Sequence, residues 1–133
     1  IVEPNITAVK RATLILSIHT LEHIHNPANV LSSLPDMQDI GDYLLVSVPN
    51  QEKEPIRNIL FFLPHIHSFT PRSLASLVTR YGYGLQDASL TTPQEINMIF
   101  RRGIESITEA PSCQCPELPK DVSFNKTVKL YVK

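Results

Sequence analysis

An α/β layered domain, its sheet mostly parallel with an antiparallel C-terminal edge, is the fold class that this 133-residue sequence predicts. Two nearly continuous apolar runs, TLILSIH (13–19) and YLLVSVP (43–49), have the composition of strands covered on both faces. Capped helical segments follow each of them, and the alternating segments INMIFRR and TVKLYVK read as a pair of antiparallel strands.

The first run could also be laid on a helix, with Leu14, Ile18 and Leu21 in line, so periodicity leaves it open. The helix start just beyond it favours a strand. Asn26 is a good N-cap, Pro27 suits the first helical position, Val30, Leu31 and Leu34 make an apolar face, and Pro35 stops the helix. Tyr43 to Val48 then forms a central strand that ends in the Pro49-Asn50 turn. Residues 51–69 mix charge, apolar ILFFL and the alternation HIHSF, the pattern of a loop or lid with one helical turn. Phe61, Phe62 and Phe69 either line an apolar pocket there or pack into the core, the better reading for at least two of them. In FTPRSLASLVTRYGYG, Thr70 caps, Pro71 takes the first position and Leu74, Leu77, Val78 and Tyr81 recur at helical spacing. Arg80 suits the negative end of the helix dipole, and Gly82 stops it. Between the two C-terminal strands runs a polar, proline-containing stretch from Glu105 to Lys126.

With 42% hydrophobic and 19% charged residues, the chain has the composition of one ordinary globular domain. A net charge of −1 with scattered Lys and Arg advertises no phosphate-tracking surface, which argues against nucleic acid as partner. LILSI and ILFFL fall far short of the roughly 20 residues a spanning helix needs, and no basic-then-apolar signal opens the chain, so a cytoplasmic protein without a membrane partner is expected. Cys113 and Cys115 are one residue apart, where a bridge would close a strained loop; they read as reduced thiols.

His19, Glu22 and His23 stand in the spacing His-x-x-Glu-His, which on a continuous helix would present two imidazoles to one zinc ion. The strand-like run before His19 and the Asn-Pro after His25 leave room for little more than a turn. A zinc hydrolase is therefore a remote alternative, and no metal is expected.

Taken together, LILSIHTLEHIHNPANVL, YLLVSVPN and HIHSFTPRSLASLVTRYGY resemble the second half of small class I S-adenosylmethionine-dependent methyltransferases. In that family a fourth strand ends in a leucine-Glu-His turn before an asparagine- or aspartate-proline helix start, a fifth ends in valine-proline-asparagine, and a histidine loop leads to a phenylalanine-threonine cap. The resemblance covers about residues 13–84 in the right order. It implies a Rossmann-like methyltransferase sheet in a three-layer α/β/α sandwich, S-adenosylmethionine as cofactor and a small-molecule acceptor.

It further implies that Glu3, in IVEPN, holds the cofactor's ribose hydroxyls, and that Ser17, Ile18 and His19 border the cofactor at a strand's carboxyl end. His19, His23, His65 and His67 become candidate bases for the acceptor's proton. For His23 a structural role stands slightly ahead, with Glu22 and His23 bonding neighbouring loops. In an extended HIHSF, His65 and His67 would point the same way. The family's glycine-rich cofactor turn is absent, since no Gly occurs before Gly41, and the segment between Pro4 and Thr13 is too short for two strand connections. The expectation is a single, partial methyltransferase-like domain over 1–133, with residues upstream of Ile1 not in this sequence. The rival is a non-catalytic module of the same shape, whose bare apolar sheet edge would call for a partner or a homodimer.

Overall fold

A computed structural model describes residues 11–52 and 65–111. Within them four strands form one sheet in the order β1-β2-β4-β3: β1 is Leu14–Ile18, β2 Tyr43–Pro49, β3 Tyr83–Asp87 and β4 Glu95–Arg102. β1 and β2 pair in parallel, while β4 runs antiparallel to both β2 and β3. Three strands thus point one way, and the reversed strand sits inside the sheet rather than at its edge.

Helix α1 is Pro27–Ser33 and passes directly into a 3-10 turn at Leu34–Met37; helix α2 is Pro71–Thr79. The Asn26 side chain accepts the Asn29 amide at 3.3 Å, as its N-cap role requires. At α2 the Thr70 hydroxyl accepts the Ser73 amide, and the Ser73 hydroxyl accepts the Thr70 amide, a reciprocal pair that satisfies two of the helix's otherwise orphaned donors. Past the helix, Gly82 takes φ +83°, a left-handed turn that favours glycine.

The core lies on one face of the sheet. Leu44, Val46 and Val48 of β2 and Ile96, Met98 and Phe100 of β4 alternate onto it, and Leu31, Leu74 and Val78 of the two helices cover them. Both helices therefore lie on the same side, and the described residues supply two of the three layers that the sequence predicts.

β1 corrects one expectation. It is extended, but it is the outermost described strand, and Leu14, Leu16 and Ile18 remain 51%, 57% and 53% exposed on the face away from the helices. Among the described residues nothing covers that face or pairs that edge. β3 corrects another: YGLQD, which follows a helix-stopping glycine and has no clear alternation, becomes a strand through its pairing with β4. Phe69 is core, bridged through its backbone to Asn50. Glu3, Phe61, Phe62, Cys113, Cys115 and the TVKLYVK segment lie outside the described residues.

A buried polar clamp ties β3 to the turn before β2. The Tyr83 hydroxyl donates to Gln38 Oε1 at 2.6 Å, and Gln38 Nε2 donates to the Tyr43 carbonyl at 2.8 Å. Burial pushes the Tyr83 phenol from 10.0 up to about 12, against the lowering influence of Arg102. A raised value means that the fold favours the protonated phenol; this contribution is complete below pH 10 and is lost as pH rises toward 12. Tyr83→Phe is expected to cost about 1–2 kcal/mol at neutral pH, because Gln38 Oε1 is left without a donor. Urea unfolding across pH 10 to 12 should show the wild type losing stability while the variant loses much less.

Candidate active site

His19 ends β1 and begins the turn. Its backbone has φ +46°, rare for a residue with a side chain and most often found where function holds it. The His19 amide still donates to the Ser47 carbonyl at 2.9 Å, so the strand pairing runs up to the point where the chain turns. The Thr20 hydroxyl then bonds the Ile18 carbonyl, and Leu21–His23 forms a single 3-10 turn. That break in the backbone removes the continuous helix on which the zinc hydrolase reading depends.

The imidazole of His19 stands between two carboxylates. Its Nε2 lies 2.9 Å from Glu95 Oε1, and its Nδ1 lies 3.4 Å from Glu22 Oε1. Glu95 also accepts the Ser47 hydroxyl at 2.7 Å. Hydrogen bonding from Ser47, helped by the charge of His19, holds the Glu95 carboxyl below its ordinary 4.5 even though burial opposes this. A lowered carboxylate contributes its stability above pH 4.5 and loses it as pH falls through the lower folded value. Ser47→Ala should move the Glu95 titration upward, read by carboxyl-carbon NMR; an unmoved titration would remove Ser47 from this account.

Glu22 is 1% exposed, and its backbone carbonyl accepts the amides of Ile66 and His67 at 2.8 and 3.1 Å. This clamp curls the segment around Ile66, so His65 and His67 part company instead of pointing the same way. The ring of His65 packs against that of His23, centroids 4.8 Å apart. His67 turns to the His25 carbonyl, 3.3 Å from its Nε2, and toward Phe69. Of the four histidines read as candidate bases, His19, His23 and His65 gather around Glu22, and His67 does not.

Ser17 and Ile18 face opposite sides of the sheet. Ser17, with Thr20, Leu21, Ile24 and Val30, lines an apolar hollow of about 480 Å³ between β1 and α1. Its hydroxyl is buried and has no hydrogen-bond partner among the described residues. An orphaned hydroxyl at a strand's carboxyl end fits a polar group of the implied cofactor, in a cavity of ligand-binding size. A second hollow, of about 600 Å³, lies between α2 and residues 106–111; it is larger, but no histidine lines either hollow, and the buried, unpartnered Ser17 hydroxyl favours the first.

Glu95 and Ser47 are the functional candidates that sequence reasoning missed. They are 48 positions apart, and only the insertion of β4 beside β2 brings them together.

A family model described as a methyltransferase domain matches residues 6–87, which is 82 of the 133 residues. Among solved structures the chain is similar to a Nostoc punctiforme protein provisionally named an O-methyltransferase, at 17% identity and a TM-score of 0.51. That match covers 70% of this chain and 32% of the other, so the chain spans about a third of that structure's length. No curated protein matches. Among the described residues no helix is long and apolar enough to cross a membrane.

Proposed function

This chain belongs to the methyltransferase-domain family, with the class I sheet, and from that premise we propose that it methylates a hydroxyl oxygen of a small molecule with S-adenosylmethionine as donor. One observation carries the reading: His19, in a left-handed turn at the carboxyl end of β1, has a charge-assisted partner on one nitrogen and a second carboxylate beside the other.

The bound cofactor supplies an electrophilic methyl group. Everything else falls to the chain. With Nε2–H donating to Glu95, the imidazole is fixed in orientation, and Nδ1 is left to accept the acceptor's hydroxyl proton. The imidazolium so formed is held against the Glu95 carboxylate, which favours its charge. Ser47 holds Glu95 in place for this work. The Ser17 hydroxyl gives the cofactor a polar contact in the hollow beneath β1. Catalysis is then mainly the positioning of two reactants, with one proton transfer. An O-methyltransferase name on the similar structure supports oxygen as the accepting atom.

Isothermal calorimetry with S-adenosylmethionine and its demethylated product tests the cofactor. Micromolar binding is expected, weakened about tenfold by Ser17→Ala through the loss of one hydrogen bond. Absence of heat and of any thermal shift with both ligands would overturn the reading.

The exposed Leu14, Leu16 and Ile18 favour a second reading, in which the domain is a non-catalytic module whose open sheet face docks a partner or a second copy. Ligand binding separates the two, because the module has no need of a working Ser17.

A further inference from the structure

Glu22 presents a problem that methyl transfer does not solve. It is a carboxylate at 1% exposure, and neither oxygen has a hydrogen-bond partner among the described residues. The histidine nitrogens nearest Oε1, at 3.4 Å for His19 and 3.7 Å for His23, are too far or too poorly aligned to count as such bonds. A charge buried in this way is costly unless something positive stands against it.

The surroundings indicate what that is. One carboxylate oxygen of Glu22 and one ring nitrogen each of His23 and His65 lie within 4.8 Å of one another. Metal–ligand bonds of about 2.1 Å place the ligands of a tetrahedral ion roughly 3.4 Å apart, so small side-chain rotations would close the set. The backbone already holds its parts together: the Glu22 carbonyl takes the Ile66 and His67 amides, which brings the His65 loop over the 3-10 turn. Two imidazoles and one carboxylate are a borderline donor set, suited to zinc and its neighbours rather than to magnesium or calcium.

We infer that Glu22, His23 and His65 form a three-ligand site for a zinc-class divalent cation, with a coordination position left open to solvent or ligand. This is not the arrangement that the His-x-x-Glu-His spacing suggests. His19, the first residue of that motif, is turned to Glu95, and its place is taken by His65 from a loop 42 positions beyond His23. The inference does not depend on the methyl-transfer reading.

The probe is Co²⁺, added to the metal-free protein and followed by its visible absorption. One ion per chain is expected, with the intense bands of four- or five-coordination, displaced by Zn²⁺ and not by Mg²⁺. His65→Ala and Glu22→Gln should each weaken binding at least about tenfold, by loss of a direct ligand. His25→Asn, an exposed histidine outside the trio, should leave it unchanged and so controls for adventitious surface binding. Zn²⁺ should raise the melting temperature of the wild type but not of Glu22→Gln, whose near-isosteric amide, itself free of the buried charge, guards against mere unfolding. A Co²⁺ spectrum that stays that of the aquo ion, displacement by Mg²⁺ as readily as by Zn²⁺, or equal weakening in the His65 and His25 variants would overturn the site. Calorimetry with S-adenosylmethionine is run in parallel, so that failure here and failure of the cofactor reading are told apart.

Discussion

Replacing His19 by asparagine is expected to lower kcat/KM for methyl transfer about 100- to 10,000-fold, the range that a positioned acid-base side chain supplies, while cofactor affinity changes little. Asparagine is the right substitution because it tolerates a left-handed backbone. At φ +46° an alanine would add strain of its own and mix a folding effect into the kinetics. The ring is 53% exposed, so an acceptor can reach it, and its Nε2 is tied to Glu95 at 2.9 Å. Loss of the imidazole therefore removes the proton acceptor without emptying the core. A second readout excludes a merely structural role. The loss should fall on kcat with KM little changed, as removal of an interaction made only in the transition state requires. Glu95→Gln should lower the rate by less, since the amide still orients the ring and no longer balances its charge. If His19→Asn retains activity within about threefold of wild type, proton transfer lies elsewhere, and His23 or His65 becomes the base to test.

How much of this was legible in the sequence depends on how local each feature is. The parallel pair was legible because LILSI and YLLVSVP are dense in branched apolar residues, and both helix starts announce themselves with a capping side chain followed by proline. β3 was not. Gly82 and Gly84 bracket Tyr83 in a stretch that reads as the end of a helix, and its extended form is imposed by β4, a partner on the far side of the Ala88–Gln94 turn. The exposure of β1 was hidden for a related reason: an apolar run reports that a strand is fit for burial and cannot report whether anything covers it. At the site, side-chain type picked out His19, His23 and His65, yet their roles were set by contacts no spacing encodes. Glu95 reaches His19 through the placement of β4, and His65 reaches His23 through two amides on the Glu22 carbonyl. His67 has the same chemistry and almost the same position, and the same clamp turns it away.

Gly84→Ala is the substitution expected to damage the fold most for its size. A Cβ built on Gly84 would lie 1.9 Å from the Ile104 carbonyl oxygen, 2.5 Å from the Glu105 carbonyl carbon and 2.7 Å from the Ser106 amide nitrogen. All three are backbone atoms and cannot swing aside as a side-chain end can. The segment they belong to is sewn to β3: the Leu85 amide donates to Ser106 Oγ at 2.9 Å, the Ile107 amide to the Leu85 carbonyl at 3.0 Å, and Gln86 Nε2 to the Glu105 carbonyl at 2.9 Å. One methyl group therefore either buckles β3 or lifts residues 104–107 away and breaks several hydrogen bonds at about 1 kcal/mol each, in addition to the overpacking cost. A loss of roughly 3 kcal/mol or more is expected, a large share of the roughly 5–15 kcal/mol available to a small domain. Gly82→Ala is the internal comparison. Gly82 has φ +83° but nothing within 4 Å of its added Cβ, so its variant carries only left-handed strain, about 1–2 kcal/mol. Urea unfolding of the two variants should rank Gly84→Ala well below Gly82→Ala, and the reverse order would mean that the 104–107 segment does not press on β3. The site should feel the difference as well. β4 pairs with β3 through Ile99, Phe100, Arg101 and Arg102 and presents Glu95 from its other end, so a variant that merely sheds the 104–107 strap keeps Glu95 against His19, whereas one that buckles β3 and loosens β4 loses it.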